Sequence, residues 1–537
     1  MTDTNSPKTL LEPTAAVAPR TLPALLAEAS RRFAGLAAIE ENGVVTGYAE
    51  LPEQVMAVTR SLLARGIEEG DRVAIWAPNC RAWIIAALGI HCAGAVMVPI
   101  NTRMKGPEAA DVLARSGTRL LFLCREFLGV DYPALLQPFR PDSLEGEIML
   151  DEPVSVDGRL GWQAFLDEGA SVSLERVKAR MAAVTPEHVS DLLFTSGTTG
   201  KPKGVLSTQG QLLRAFHEFG KEIGIGPGDR YLIVNPFFHA FGYKAGWISC
   251  LLAGATILPH AVFDADVVIR RIAEDRISVL PGPPTLYLSM LAHPQLAQTD
   301  LSSLRVAVTG AATIPAVLIE RMRTELGFEV VTTAYGLTEC GGLATICDPA
   351  APPEVVAATS GRPIAGTEVS IRNAESQPLP AGETGEICLR GFHVMRGYFQ
   401  DPEATAEAID SDGWLHTGDV GRLDEQGHLQ ITDRLKDMFI VGGFNCYPAE
   451  IEAVLLQHPA IAQVAVIGVP DERMGEVGCA CVVRHANQPL EAAELIAWCR
   501  ERMANYKVPR LVRFFEALPL NPSNKVAKND LRALLAT

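Results

Sequence analysis

Positive charge is scarce in this chain. Its 47 Lys and Arg face 63 Asp and Glu, a net charge of −16. A field of that sign excludes broad electrostatic binding of nucleic acid, and no such partner is expected. An anionic small molecule must instead meet local positive groups. Metal-type cysteine pairing is also missing, because none of the 11 cysteines forms a Cys-x-x-Cys pair. Cys479 and Cys481 share one face of an expected strand, which is poor spacing for a metal. Reduced, structural thiols in a cytoplasmic setting are the expectation. Residues 1–19 lack a basic-then-apolar signal, and 1–20 read as a loose arm. One long apolar run, Ala82 to Ile100, has the length of a membrane span. It contains His91 and several small residues and ends on the β-like Val96-Met-Val-Pro-Ile100. A buried helix followed by a buried strand is therefore predicted, and no membrane span. Internal repeats and low-complexity tracts are absent too.

What is present is a well-cored globular composition, 48% hydrophobic and 20% charged. Short apolar runs alternate with helical patterns: Arg72–Trp76, Leu120–Leu123, Tyr231–Val234, Ile277–Leu280 and Leu304–Val308. That alternation predicts α/β architecture, with parallel-rich sheets covered by helices. After about Gly361 the runs shorten and look antiparallel, as in Val369–Arg372, Gly385–Arg390 and a hairpin over Gly421–Asp433 turning at Asp424–Gly427. Past the charged stretch Asp433–Asp437 the chain reads as a compact α+β unit. Its expected elements are helices over Ala449–Gln457 and Ala492–Met503 and strands over Ile461–Val469 and Gly478–Val483. A large domain over 1–435 and a small one over 436–537 are expected.

The segment Thr195-Ser-Gly-Thr-Thr-Gly-Lys-Pro-Lys-Gly204 holds four hydroxyls, three glycines and two lysines in ten residues. It lacks the glycine spacing of the familiar P-loop. Ser190–Phe194 and Gly204–Thr208 on either side read as strands. The helix starts only later, where Leu212, Leu213, Phe216 and Phe219 form one stripe. A loop joining two strands has no helix dipole to offer a phosphate. It can offer backbone N–H groups at Gly197 and Gly200, the hydroxyls of Thr195, Ser196, Thr198 and Thr199, and the charge of Lys201. Those means suit a flap over outer phosphates.

That segment resembles the signature of the adenylate-forming (ANL) superfamily, which holds acyl-CoA synthetases, coumarate-CoA-type ligases, luciferases and peptide-synthetase adenylation domains. Further segments match in order. Asn235-Pro-Phe-Phe-His-Ala-Phe-Gly242 resembles the aromatic–histidine stretch beside the acyl group. By that resemblance His239 is a catalytic candidate near the carboxylate, with Phe238, Tyr243 and Gly310 in the acyl pocket. Thr309-Gly-Ala-Ala312 and Thr333-Ala-Tyr-Gly-Leu-Thr-Glu339 resemble the nucleotide segments. The resemblance implies that Gly310, Ala311, Ala334, Tyr335 and Gly336 bind ATP, with Tyr335 stacked on adenine, and that Thr338 and Glu339 are catalytic, Thr338 touching the α-phosphate and Glu339 holding Mg²⁺. A hard oxygen ligand for a hard cation agrees with that role. Thr333-Ala334 departs from the usual Gln-Gly. Trp414-Leu-His-Thr-Gly-Asp419 resembles the ribose segment, which makes Asp419 and Arg434 ribose contacts. Lys436 matches the hinge position, and Gly442, Gly443 and Phe444 the CoA-thiol approach. Lys525, in Pro519–Lys528, takes the place of the catalytic lysine, with Asn524 where Gly is usual. Cys340 beside Glu339 reads as packing, since no His/Asp context activates it.

The resemblance implies a large N-terminal domain with a distorted β-barrel and a small mobile C-terminal lid. It implies an AMP-forming acid–CoA ligase that uses ATP, CoA and Mg²⁺. The carboxylate attacks the α-phosphate and releases pyrophosphate; the CoA thiolate then displaces AMP. Lys525, the cation and the loop donors offset the charge of two anions brought together. Phe237–Gly246, with Leu280–Thr285 and Val308–Thr313, is similar to actinobacterial ligases for propanoate chains on steroid-derived bicyclic rings. Fatty and aryl acids share the remaining motifs. Alternatives are a stand-alone adenylation enzyme for amino or aryl acids and a nucleotide-binding ATPase. The chain admits a homodimer.

Overall fold

Apolar runs four or five residues long are too short for helices and too apolar for one-sided sheets, and they fold as fully buried strands. The computed structural model describes residues 20–195, 202–310, 314–434, 437–441, 444–471, 474–486, 488–503, 505–521 and 526–535, with backbone alone at 433, 434, 440, 444, 445 and 450. Its seven-stranded sheet runs Lys203–Thr208, Val189–Thr195, Val96–Pro99, Arg72–Trp76, Leu120–Leu123, Gly146–Met149, Leu160–Gly161. The pairings are parallel except that between Val189–Thr195 and Lys203–Thr208. The apolar run after Ala82 becomes the buried helix Arg81–Cys92 followed by the strand Val96–Pro99. Among the described residues no helix is long and apolar enough to cross a membrane.

A second sheet holds Arg230–Ile233, Thr256–Pro259, Ala37–Glu41 and Val44–Gly47, and a third Val306–Thr309, Val330–Tyr335, Thr345–Ile346 and Arg362–Pro363. Val279 bridges them through Tyr231 and Val306. The run Ile277–Leu280, expected as a strand, is reduced to those two bridges at the single residue Val279. Pro281, Pro283 and Pro284 follow it, and proline has no N–H to extend a ladder. The helix Gln209–Glu222 follows the hairpin of the large sheet, and its stripe Leu212, Leu213, Phe216 and Phe219 is buried. Thr208 and Gln211 form a capping box at its start, a motif worth about 1 kcal/mol. Each stripe residue adds roughly 1.5–3 kcal/mol by leaving water.

After Gly361 the chain turns antiparallel, as its shorter alternating runs predict. Thr367–Arg372, Gly385–Gly391, Leu415–Leu423 and Leu429–Arg434 form a half-barrel sheet. The last sheet joins Phe444–Cys446, Phe439–Val441, Gly475–Arg484 and Ile461–Asp471, with Leu511–Phe514 alongside Gly475–Arg484. Helices Pro448–Leu455 and Ala492–Arg500 belong to this part. It has a core of its own, including Phe439, Ile451, Leu455, Val466, Val482 and Leu495. The architecture is thus α/β, with a large N-terminal part and a small α+β C-terminal part. All 11 cysteines are free thiols and ten are buried.

Candidate active site

The Gly/Thr-rich segment leaves the large sheet as the connection of an antiparallel hairpin. Thr195 pairs with Lys203, and Phe194 with Gly204. Ser196, Gly197, Thr198, Thr199, Gly200 and Lys201 lie outside the described residues. The strand positions Thr195 against Glu339: its Oγ1 lies 3.4 Å from Glu339 Oε1 and 3.4 Å from the Lys203 carbonyl. The same carboxylate oxygen accepts the Tyr398 hydroxyl at 3.1 Å. Burial, then the charge of Glu339, pushes the Tyr398 phenol well above its usual range, so it stays a donor. Lys203 Nζ stands 5.0 Å over the Tyr398 ring. A carboxylate beside a hydroxyl is a fitting hard-oxygen set for a divalent cation.

Glu339 sits on the short 3₁₀ turn Thr338–Cys340 that follows the strand Val330–Tyr335. Gly336 makes the approach to that turn. A Cβ there would lie 2.4 Å from the Gly342 backbone, so no side chain fits. Gly310 is roomier, with 3.4 Å to Thr333 Oγ1. Ala334 pairs with Ile346 and Tyr335 with Thr345. Cys340 is inert: its Sγ bonds the Leu337 N–H and carbonyl, and burial pushes the thiol up to about 12.

Tyr335 and Asp419 are 8% and 7% exposed and meet directly. The Tyr335 hydroxyl donates to Asp419 Oδ2 at 2.7 Å. Burial and then Asp419 hold the phenol far above its ordinary value. Asp419 is opposite Arg434 in the strand register, which brings the two expected ribose contacts to one point of the sheet. The turn before Asp419 needs Gly418 at φ +68°, where a side chain is strained. Glu386 Oε1 accepts the Gly418 N–H at 3.1 Å and Thr417 Oγ1 accepts the Asp419 N–H at 3.1 Å.

His239 is exposed and caps the turn Ala240–Gly242, its Nδ1 accepting the Phe241 N–H at 3.2 Å. In the neutral ring Nε2 then carries the hydrogen, so it is the nitrogen able to donate to a carboxylate. Phe238 beside it is half-buried. Tyr243 starts a six-residue π-helix, Tyr243–Ile248, and is 0% exposed. Its hydroxyl shares a 3.1 Å hydrogen bond with His91 Nε2. It stands in the aromatic core with Trp83 and Trp247. Next to it Lys244 pairs with Asp191 at 3.0 Å and donates to Ser207 at 3.0 Å.

Ala311, Lys436, Gly442, Gly443 and Lys525 lie outside the described residues. For Arg434 and Phe444 the backbone alone is described. Leu520 and Val526 bridge on either side of the segment that contains Lys525. Sequence reasoning missed Tyr398, Glu386 and Asn79. Asn79 fixes the aromatic–histidine segment, accepting the Phe237 N–H at 2.7 Å and donating to the Asn235 carbonyl at 2.8 Å. These partners lie 32 to 158 residues away, and no local spacing signals them.

Residues 26–399 match the family model "AMP-binding enzyme", and 450–525 match "AMP-binding enzyme C-terminal domain". A 3-[(3aS,4S,7aS)-7a-methyl-1,5-dioxo-octahydro-1H-inden-4-yl]propanoyl:CoA ligase of Mycobacterium tuberculosis is 50% identical, over 96% of this chain and 99% of that protein. A ligase of the same description from Rhodococcus jostii is 48% identical, over 96% and 98%. Among solved structures, ATP-bound MatB from Rhodopseudomonas palustris superposes with a TM-score of 0.82 at 28% identity, over 95% and 98%. The chain belongs to the AMP-binding enzyme family. It is, more narrowly, an AMP-forming acid–thiol ligase.

Proposed function

We propose that this enzyme joins a ring-bearing, steroid-derived propanoate to coenzyme A by way of an acyl-AMP. The acid is supported by the two ligases at 50% and 48% identity, whose names specify a bicyclic propanoyl group. The nucleotide chemistry is carried by one observation, the buried hydrogen bond from Tyr335 to Asp419. It joins a flat ring able to stack on adenine to an acid able to accept ribose hydroxyls, with Arg434 opposite.

In this reading Gly310, Ala311, Ala334 and Gly336 complete the adenine cradle. Thr195, Ser196, Gly197, Thr198, Thr199, Gly200 and Lys201 enclose the outer phosphates, and Thr338 meets the innermost one. Glu339 and Thr195 hold Mg²⁺, which supplies charge neutralisation between phosphates. His239 donates Nε2–H to the acid and keeps its oxygen in line with the α-phosphorus. Phe238 and Gly310 bound the acyl pocket, and Tyr243, fully buried, shapes it only from within the aromatic core. Lys525 offsets the charge that gathers as two anions meet. Residues 1–435 then keep the acyl-AMP while 436–537 turn about Lys436. Gly442, Gly443 and Phe444 thereby guide the pantetheine thiol to the same carbon.

The test is a panel of ring-bearing propanoates, fatty acids and aryl acids with ATP, Mg²⁺ and CoA, read by mass as thioester. A bicyclic propanoate is expected to show the highest kcat/KM. Preference for a medium-chain fatty acid by tenfold or more would overturn the substrate assignment.

A further inference from the structure

The geometry points to a zinc-class metal site on the half-barrel sheet, built from Glu386, Cys388 and His416 beside the turn that carries Asp419. Cys388 and His416 are register partners on Gly385–Gly391 and Leu415–Leu423. Partners in a strand pair send their side chains to the same face, and Glu386, two residues before Cys388, shares that face. His416 Nδ1 lies 3.6 Å from Cys388 Sγ and 2.8 Å from Glu386 Oε2. The three donor atoms all lie within 4.8 Å of one another.

The two separations from His416 Nδ1 are close to what a metal demands. Zn–S of about 2.3 Å and Zn–N of about 2.0–2.1 Å at a tetrahedral angle set sulfur and nitrogen roughly 3.6 Å apart. That is the observed spacing. Nitrogen and carboxylate oxygen need roughly 3.3 Å, so Glu386 Oε2 has only to retreat by about half an ångström. Sulfur, imidazole and a single carboxylate oxygen make a borderline-soft set, suited to Zn²⁺ or Co²⁺ rather than Mg²⁺.

An outer partner stands near. His416 Nε2 faces Asp410 Oδ2 at 3.6 Å, longer than a hydrogen bond, and that oxygen accepts Arg372 at 3.3 Å; closing the gap would give the carboxylate–histidine arrangement that orients a metal-bound imidazole. Asp410 is itself held by the N–H groups of Asp412 and Trp414, both at 2.9 Å. Glu386 Oε1 is anchored on the Gly418 N–H, which leaves Oε2 to face the imidazole. A hydrogen bond from His416 to Glu386 that merely braces the turn accounts for two of these residues. The Cys388 thiol is a second hydrogen-bond partner of the same nitrogen at 3.6 Å, so the two arrangements differ in whether a thiophilic ion replaces the thiol proton. Cys388 forms the closed floor at 0% exposed, while the His416 and Glu386 side chains, 20% and 19% exposed, leave the way in. A metal entering there takes a thiolate and releases the thiol proton to water.

Glu386 connects this site to the nucleotide. Clamped on a metal by one oxygen, it holds by the other the amide next to Asp419. The occupied site therefore shifts the turn that presents Asp419, and the metal acts as an inhibitor of adenylation. Binding of the metal stands apart from the proposed substrate; only the inhibition rests on the nucleotide role of Asp419.

The experiment uses the full chain, stripped by chelator and titrated with Co²⁺. One equivalent is expected to raise a thiolate-to-cobalt charge-transfer band, which Zn²⁺ displaces and Mg²⁺ does not. Cys388→Ser is expected to lose the band and keep basal AMP formation. Asp410→Asn is expected to bind about 10–100-fold more weakly, the usual cost of an outer partner. Micromolar Zn²⁺ inhibits the unsubstituted enzyme, and Cys388→Ser resists at least tenfold more. No charge-transfer band, or a band of equal strength in Cys388→Ser, would overturn the site. A band that follows Cys388 with Zn²⁺ inhibition equal in both proteins would overturn the link to Asp419 alone.

Discussion

Tyr335 and Asp419, 84 residues apart in the chain, are joined by a hydrogen bond of 2.7 Å. The bond fixes the plane of one and the carboxylate of the other before any nucleotide arrives. A hydrogen bond to a charged acceptor is worth roughly 1.5–3 kcal/mol. Tyr335→Phe keeps the ring and frees the acid. The expected result is a rise in KM for ATP of about tenfold or more, with kcat less changed; steady-state kinetics with varied ATP decide it. An unchanged KM would show that the bond does not order the site.

Tyr398 donates to Glu339 at 3.1 Å and so holds the acid proposed to bind Mg²⁺. Tyr398→Phe is expected to raise the Mg²⁺ concentration for half-maximal rate several-fold, while saturating Mg²⁺ restores most of kcat. A Mg²⁺ titration of pyrophosphate release reads this directly.

Lys525→Ala is expected to slow adenylation by ~10² or more, the scale of losing one charge-stabilising donor. Thioester formation from supplied acyl-AMP and CoA should survive far better. Equal loss in the two half-reactions would contradict the division of labour between Lys525 and the Gly442 segment.

The buried pair Lys244–Asp191, both side chains 0% exposed, links the phosphate-loop hairpin to the π-helix after His239. Removing one member strands a charge and costs about 3–5 kcal/mol, whereas replacing both by apolar groups is often neutral. Lys244→Met should therefore lower Tm sharply, and Lys244→Met with Asp191→Leu should regain most of it. A double variant no more stable than the single one would argue against this account.

His91 is 0% exposed, and burial, then Lys244, brings its pKa from 6.5 down to about 3. The folded state thus keeps the imidazole neutral while the unfolded chain protonates it below about 6.5. Its contribution is whole above pH 6.5 and is lost as pH falls toward 3, with a limiting slope of about 1.4 kcal/mol per pH unit. Urea unfolding at pH 7 and pH 5 should show a smaller acid loss in His91→Leu than in the parent chain.

Much of this was legible in the sequence, because short-range pattern carried it. The hairpin nature of the Thr195 loop followed from strands on both sides and a helix that starts only at Gln209. The helix and strand after Ala82 followed from small residues and a β-branched end. Ile277–Leu280 failed as a strand because the prolines after it remove ladder donors. Tyr398, Asn79 and Glu386 were illegible for a different reason. Their partners are distant in sequence, and only the folded sheets bring Tyr398 to Glu339 or Glu386 to Gly418.

The central claim is that the acid attacks the innermost phosphorus of ATP. The most direct measurement supplies a carboxylic acid labelled with oxygen-18, together with ATP, Mg²⁺ and CoA, and weighs the nucleotide product. The account predicts AMP carrying one labelled oxygen, with pyrophosphate released in equal amount. ADP with orthophosphate, or AMP without label, would contradict it.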